Sequence, residues 1–262
     1  MTSSLLQFWN KFKADAEPYF HPDDQDFLFR TDRSDVLPNT VGTYSDYTTD
    51  THFARRSSPR LDLSLLPIPY GGNLAKADII ILLLNPGLSH TDYYGEFSRP
   101  DYRKALQQNL YQDNANAEYP FIWLNPEFCW HEGFMWWERK LRPVLNLVAE
   151  KKFNGSYLQA MQAMSQRLGM VELVPYHSAS APSGRLVNGL PSAQVVRSHV
   201  QDTLLPEAQA GKKLLIVTRQ AKSWGLSHGA PNVVIYNQHE ARGASLGPDT
   251  KGGAAILRRL GL

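Results

Sequence analysis

Short apolar runs recur along this chain and alternate with longer segments in which apolar residues return every three or four positions. Runs that are apolar along their whole length predict strands covered on both faces, and the periodic segments predict helices. The predicted strands are residues 79–84, 121–124, 170–174, 214–217 and 233–236, and the predicted helices are residues 102–111, 134–151, 157–168, 193–208 and 250–260. Their alternation predicts an α/β fold, a three-layer α/β/α arrangement around a central, mostly parallel sheet of four to five strands.

The first part of the chain has a different pattern. Leu5, Phe8, Trp9 and Phe12 are spaced as on one face of a helix, but the periodicity is weak after them and proline interrupts the chain repeatedly. We therefore expect residues 1–74 to form an N-terminal extension packed on the core, and residues 75–262 to form the α/β domain itself.

The first predicted core strand ends at Asn85, Pro86 and Gly87. Ligands of parallel sheets bind outside the carboxyl ends of the strands, so a buried strand here presents the Asn85 carboxamide where chemistry is expected. Pro86 fixes the backbone and ends the pairing, and Gly87 leaves room for a ligand. A carboxamide held in this way positions a water molecule without being ionised. The alternative is a plain strand-end turn, because Asn, Pro and Gly are the commonest turn residues.

Other strand ends also carry polar and aromatic side chains. Tyr94 lies in the loop predicted after Gly87, where its ring either stacks on a flat base or anchors the loop. Glu172, Tyr176 and His177 follow the third predicted strand. Glu172 either faces the crevice, where it reads an exocyclic amine or orients water, or is a partnered carboxylate of the core.

The last predicted strand is followed by Asn237 and His239, and a histidine at this position is a candidate to hydrogen-bond to a leaving base. Candidate phosphate contacts are Arg55, Arg56, Arg60, Arg185, Arg242 and Lys251. Lys251 stands at the start of the terminal predicted helix, whose N–H groups favour phosphate. The alternative for these cations is a solvated surface.

The composition of the chain excludes several kinds of protein and of binding site. The chain has 262 residues, 20% of them charged, with a formal net charge of +2, so affinity for a polyanion has to come from local clusters. The single cysteine excludes an intrachain disulfide, an iron–sulfur cluster and a cysteine-rich zinc site. We expect a cytoplasmic, monomeric protein with no metal, no cofactor and no membrane contact, because no apolar run approaches the ~18 residues of a membrane span and no signal-peptide pattern is seen.

Three features carry a resemblance to a known family: the motif L-L-N-P-G at residues 83–87, Tyr94-Gly95 downstream, and a final strand followed by His239 and a last helix. By these features, residues 75–262 resemble the uracil-DNA glycosylase superfamily. The N-P-G motif is similar to that of the mismatch-specific and single-strand-selective branches. The resemblance implies that Asn85 orients the hydrolytic water and that Tyr94 stacks on the flipped base. His239, or Asn237 in its place, then fills the role of the second-motif histidine.

Two departures from the family pattern concern the substrate. Residues 237–242 read N-Q-H-E-A-R where the family has H-P-S-P or a similar motif. Glu172, followed by Tyr176 and His177, stands where relatives often use Asn to read uracil. An ionised carboxylate only accepts hydrogen bonds, so the expected base carries an amino group, as cytosine and its derivatives do.

The expected activity is a monofunctional DNA glycosylase that flips a modified base out of DNA and hydrolyses its N-glycosidic bond, leaving an abasic site. The resemblance extends to an anti-phage branch acting on glucosylated hydroxymethylcytosine, which implies a role in antiviral defence. Three alternatives stay open: a uracil or mismatch repair glycosylase, a catalytically silent DNA-binding module of the same fold, and a hydrolase of free nucleosides or nucleotides.

Overall fold

A single five-stranded sheet forms the centre of the molecule. The structure is a computed structural model that describes residues 4–15, 17–30, 35–37, 41–49 and 58–262. The strands are β1 (Tyr70–Gly71), β2 (Ile79–Leu83), β3 (Leu168–Glu172), β4 (Leu214–Val217) and β5 (Val233–Ile235), and they lie in the order β1-β3-β2-β4-β5. β1 is antiparallel to β3, and the other pairs are parallel. The predicted α/β class with a mostly parallel central sheet is confirmed.

Helices pack around this sheet. They are α1 (Ser4–Trp9), α2 (Gln25–Leu28), α3 (Tyr44–Tyr47), α4 (His90–Ser98), α5 (Pro100–Leu110), α6 (Glu132–Lys152), α7 (Tyr157–Arg167), α8 (Gly184–Gly189), α9 (Pro191–His199), α10 (Leu205–Gln209), α11 (Gln238–Gly243) and α12 (Lys251–Arg259). A π-helical segment, Val200–Leu204, joins α9 to α10. It precedes Pro206, which has no N–H for the regular helical ladder. The predicted helix over residues 193–208 is therefore helical throughout, but of mixed type.

Two predictions of local structure were wrong. Residues 121–124 form a 3₁₀ turn, Ile122–Leu124, rather than a strand, and the Phe121 amide donates to Ser165 Oγ instead of to a sheet neighbour. The run is apolar because it lies in the core, and a short buried run cannot be assigned by periodicity alone. The segment expected to be a loop around Tyr94 is helix α4, which begins with a capping box between Ser89 and Asp92.

The N-terminal residues pack into the same hydrophobic cluster as the sheet. Leu5, Trp9 and Phe12 are buried in it, and β1 supplies an edge strand. A buried polar network adds to this packing: the Tyr176 hydroxyl donates to Asp24 Oδ2 and accepts from the His21 amide.

Asp78 lies directly before β2, at the amino edge of the parallel strands. Its carboxylate accepts from Arg167 Nε at 2.9 Å, at the end of α7, and from Arg259 Nε at 2.8 Å, at the end of α12. Burial alone would raise the pKa of Asp78, but the hydrogen bonds and charges of the two arginines outweigh burial and lower it. One carboxylate thus joins two helices to the central strand.

None of the helices in the described ranges is long and apolar enough to cross a membrane.

Replacing Asp78 with Asn should lower the free energy of unfolding by about 1–3 kcal/mol, because two partly buried guanidinium groups lose their charged acceptor. Urea unfolding followed by circular dichroism measures this change. The matched control is Asp101→Asn, which removes an exposed ion pair with Arg99 and should change stability by less than about 0.5 kcal/mol. Equal stability of the two variants would contradict the role given to Asp78.

Candidate functional site

A cavity of about 420 Å³ opens at the carboxyl edge of the parallel strands. The segments after β2, β3 and β4 all contribute to its wall, together with the start of α6. β3 and β4 lie on opposite sides of β2, so the chain crosses over here, and crevices at such crossings are the usual ligand sites of open α/β sheets. The lining residues are Ile68, Leu83, Leu84, Asn85, Pro86, Gly87, Leu88, Ser89, Asp92, Trp123, His131, Glu132, Gly133, Trp136, Trp137, Met170, Glu172, His177, Ser178, Ala179, Ser180, Ala181, Thr218, Arg219 and Ala244.

Asn85 is held in one orientation at the tip of β2. Its Nδ2 donates to the carbonyl oxygen of Pro86 at 2.7 Å and to Ser178 Oγ at 2.9 Å. The Ser178 hydroxyl in turn donates to the carbonyl oxygen of Ser180 at 2.8 Å, which fixes the direction of the chain of hydrogen bonds. Both hydrogens of the amide nitrogen are used in this way. The amide oxygen is therefore the part of Asn85 that is left to accept a hydrogen from water or a ligand.

Glu172, at the end of β3, is buried in the cavity wall. Its Oε2 atom finds no hydrogen-bond partner among the described residues. Burial raises the pKa of Glu172 well above its ordinary value, which favours the uncharged acid. The ionised carboxylate expected from the sequence stays a prediction, and the direction of this shift does not favour it.

His177 reaches the same cavity from the segment after β3. Its Nδ1 lies 2.8 Å from the carbonyl oxygen of Gly87. A carbonyl oxygen can only accept, so Nδ1 carries the hydrogen of this bond. In the neutral ring Nε2 is then an acceptor, and this atom is buried without a partner in the part of the chain that the structure describes. Glu172 and His177 therefore both place a buried, unpartnered polar atom in the cavity wall.

Asp92 and His131 form a separate pair in the wall. Asp92 Oδ1 lies 3.1 Å from His131 Nε2, and Asp92 Oδ2 accepts from the Ser89 amide at 2.6 Å. His131 Nδ1 accepts from the Gly133 amide, so both ring nitrogens have contacts. Burial alone would raise the pKa of Asp92, but the contacts with His131 and Ser89 lower it to about 2. The pair is structural: it joins α4 to α6.

Three tryptophans give the cavity its flat apolar surfaces. Trp123 comes from the 3₁₀ turn, and Trp136 and Trp137 come from the first turns of α6. A Cβ on Gly133 would lie 2.5 Å from Trp123 Cδ1, so α6 approaches the turn closely only because this residue is glycine. Sequence reasoning missed these rings. The adjacent pair Trp136-Trp137, near the start of a predicted helix, was the sequence signal that could have identified them.

Several predicted site residues lie outside the cavity lining. Tyr94 is 38% exposed on α4 and meets Trp130 edge-on, with ring centroids 5.3 Å apart. Tyr176 is buried and faces Asp24 instead. Asn237 and His239 are exposed at the start of α11, where Asn237 caps the helix by accepting from the His239 amide. The structure therefore brings together Asn85, Pro86, Gly87, Glu172 and His177 from the predicted set.

The predicted phosphate contacts within the described ranges are not among the lining residues either. Arg185 packs over the Phe27 ring, Lys251 pairs with Glu240 at 3.0 Å, and Arg60 and Arg242 are exposed. Arg55 and Arg56 lie outside the described residues.

A different group of cations lies beside the cavity: Arg219 is in its lining, and Lys140 and Arg139 are close to Arg219. We call Arg139, Lys140 and Arg219 the basic rim. Lys140 Nζ is 5.4 Å from the centroid of the Trp136 ring, and Arg219 lines the cavity. Burial and the charges of Arg139 and Arg219 lower the pKa of Lys140. No carboxylate in the described ranges forms an ion pair with any of the three. Lys140 Nζ donates to the carbonyl oxygen of Gly243 and Arg219 Nε to that of Ala241, so the rim is a cluster of positive charge held by carbonyl groups and not by carboxylates of the described residues.

No three His, Cys, Asp or Glu side chains of the described residues are grouped so that they could hold a metal ion.

Asp92 should contribute stability that depends on pH. Its pKa is lowered in the fold, so this contribution is complete above about pH 4, the ordinary range of an aspartate, and is lost as the pH falls through about 2. We expect the difference in unfolding free energy between wild type and Asp92→Asn to shrink by on the order of 2 kcal/mol between pH 6 and pH 2. Denaturant titrations at several pH values measure it. The same difference at pH 6 and pH 2 would contradict the assignment.

Comparison of the chain with protein-family models, with curated proteins and with solved structures finds no match. The resemblance to uracil-DNA glycosylases therefore rests on the sequence motifs alone. What the fold adds is a cavity that combines an oriented amide, a neutral acid, an imidazole acceptor and three indole rings, with a cationic group at its mouth.

Proposed function

We propose that the protein is a DNA glycosylase that takes a flipped, modified base into the cavity and hydrolyses its N-glycosidic bond. The observation that carries this proposal is the fixed orientation of the Asn85 amide in the wall of a cavity lined by tryptophans. Water bound to the amide oxygen attacks the sugar carbon as the bond to the base breaks. The products are an abasic site and the free base.

The cavity suits a heterocyclic ligand. Its volume of about 420 Å³ falls within the range of about 300–1,000 Å³ that is usual for small-molecule sites. Indole rings stack on any base through its π face. A site of this size accommodates a base with a large substituent, which supports a modified cytosine such as glucosylated hydroxymethylcytosine, and with it a role in antiviral defence.

The departing base gains negative charge, which donors in the cavity are required to stabilise. An ionised Glu172 would repel that charge, whereas the neutral acid donates a hydrogen bond to it. In this proposal Glu172 and His177 contact the base inside the cavity. His239, exposed on α11, is not used for this step.

The basic rim supports a nucleic-acid substrate over a free nucleoside. Three cations without acidic partners among the described residues stand at the cavity mouth, where the phosphates beside a flipped nucleotide would pass. Arg139 and Arg219 are both exposed there. Burying a base in the cavity and binding its phosphates on the rim are therefore compatible in one complex.

Replacing Asn85 with Ala should reduce the rate of abasic-site formation by about 10²–10⁴-fold, because the attacking water loses its acceptor. The assay uses duplexes that carry glucosylated hydroxymethylcytosine or uracil. Asn116→Ala is the matched control, since Asn116 is exposed in a turn near the amino end of β2, and it should keep wild-type activity. Unchanged activity of Asn85→Ala would remove this residue from the mechanism, and a wild type inactive on all modified duplexes would contradict the function.

The basic rim should make DNA binding depend on salt. In Arg219→Gln and in Arg139→Gln, the slope of log affinity against log salt concentration should become shallower by about 0.9 for each phosphate that the variant no longer binds. Fluorescence anisotropy of a labelled duplex at several salt concentrations measures these slopes. Arg258→Gln is the control, because Arg258 is exposed on α12 beside the amino edge of the sheet. A slope that does not differ between the rim variants and wild type would show that DNA does not cross the rim.

A further inference from the structure

Two side chains in the cavity wall each have a buried polar atom that neither a hydrogen bond nor an ion pair with a described residue satisfies; His131 Nε2, the third buried atom without a hydrogen bond there, lies 3.1 Å from Asp92. Glu172 is 3% exposed and His177 is 2% exposed, and one polar atom of each, Oε2 and Nε2, lacks a hydrogen-bond partner among the described residues. Buried polar groups in native proteins are nearly always hydrogen-bonded, and the exceptions are often sites at which a ligand supplies the partner. Two such atoms in one cavity indicate where a polar edge of a ligand docks.

Glu172 differs from the other buried acids of the molecule. Asp24 accepts from Tyr176 and from the Ser192 amide, and Glu96 accepts from the Leu66 amide. No hydrogen bond to the Glu172 carboxyl group comes from the described residues, although strand β3 holds it at the cavity. Its position is therefore not explained by a role in joining elements of the fold.

We propose that Glu172, through its carboxyl group, and His177, through Nε2, together read an exocyclic amine beside a ring nitrogen on the base in the cavity. This inference rests on the proposed function and names the class of base that it acts on. Cytosine, its 5-substituted derivatives and adenine carry this edge, whereas uracil does not.

The chemistry of the pair is complementary to such an edge. A neutral carboxyl group presents one O–H donor and one carbonyl acceptor side by side. The O–H of the acid donates to the ring nitrogen, and its carbonyl oxygen accepts from one N–H of the amine. His177 Nε2 then accepts from the second N–H. A uracil-type base also pairs with the acid, through its N–H and a carbonyl, but it offers a carbonyl oxygen in place of the second N–H, so two acceptors would face each other.

The surroundings of Glu172 keep it in the neutral form. Burial raises the pKa of Glu172, and it is the single cause of the shift. The other titratable side chains of the cavity wall are Asp92, His131, Glu132, His177 and Arg219. The neutral acid is therefore lost only as the pH rises through the raised pKa, and recognition by it should weaken in that direction.

The test compares duplexes that differ only in containing 5-hydroxymethylcytosine or 5-hydroxymethyluracil at one position. We expect wild type to excise the cytosine form at least about tenfold faster. Glu172→Gln should keep this preference, because a carboxamide also presents one donor and one acceptor, whereas Glu172→Leu should lose it. Excision by wild type should fall as the pH rises through the alkaline range, while Glu172→Gln stays flat. Glu150→Gln, exposed on α6, is the control and should match wild type.

Binding of the two free nucleosides, followed by quenching of the tryptophans that line the cavity, separates this inference from the proposed function. A preference for the cytosine form in binding, without abasic sites on any duplex, would support the reading pair and contradict the glycosylase. Equal treatment of the two bases by wild type would overturn the inference. Loss of the preference in Glu172→Gln as complete as in Glu172→Leu would also overturn it, because a donor and an acceptor side by side would then not be what recognises the base. Thermal melts of both variants show whether each is folded.

Discussion

The pairing of β2 with a parallel neighbour on each side is the constraint on which the site depends. Its residues Ile79–Leu82 are all buried and hydrogen-bonded within the sheet, so the chain can leave only at the carboxyl edge. The register with β3 sets Leu83 against Glu172. The carboxamide at the tip of β2 and the acid at the end of β3 are therefore fixed relative to each other by backbone hydrogen bonds, not by contacts between their side chains.

The elements that the sequence predicts correctly are those that leave a local pattern of apolar and polar residues. β2 and β4 are uninterrupted apolar runs, and such runs identify strands covered on both faces, so their places and that of Asn85 follow from the pattern. The turn at 121–124 is equally apolar, and only its tertiary contacts distinguish it from a strand. The basic rim is assembled from α6 and the end of β4, and such a meeting of distant segments leaves no local pattern.

Buried polar groups have different surroundings in two parts of the interior. Asp24 accepts from the Tyr176 hydroxyl and from the Ser192 amide, and these hydrogen bonds join the N-terminal segment to the domain. In the cavity wall, by contrast, Glu172 and His177 each keep one polar atom without a partner among the described residues. An unmade hydrogen bond costs stability in the empty protein, and a ligand that completes it recovers that cost on binding. Buried polar groups thus hold the fold together on one side and, in the proposed complex, would recognise the base on the other.

Tyr176 and His177 are adjacent in the chain but face opposite ways, and this arrangement has a consequence for the N-terminal extension. The hydroxyl of Tyr176 is bound by Asp24 and by the His21 amide, and the carbonyl oxygen of His177 accepts from the Asp62 amide at 2.8 Å. The backbone that aims the imidazole into the cavity is therefore held on both sides by N-terminal residues. These three partners lie outside the cavity lining, yet they fix the backbone that carries the imidazole, so a substitution at any of them would move His177 without touching the cavity.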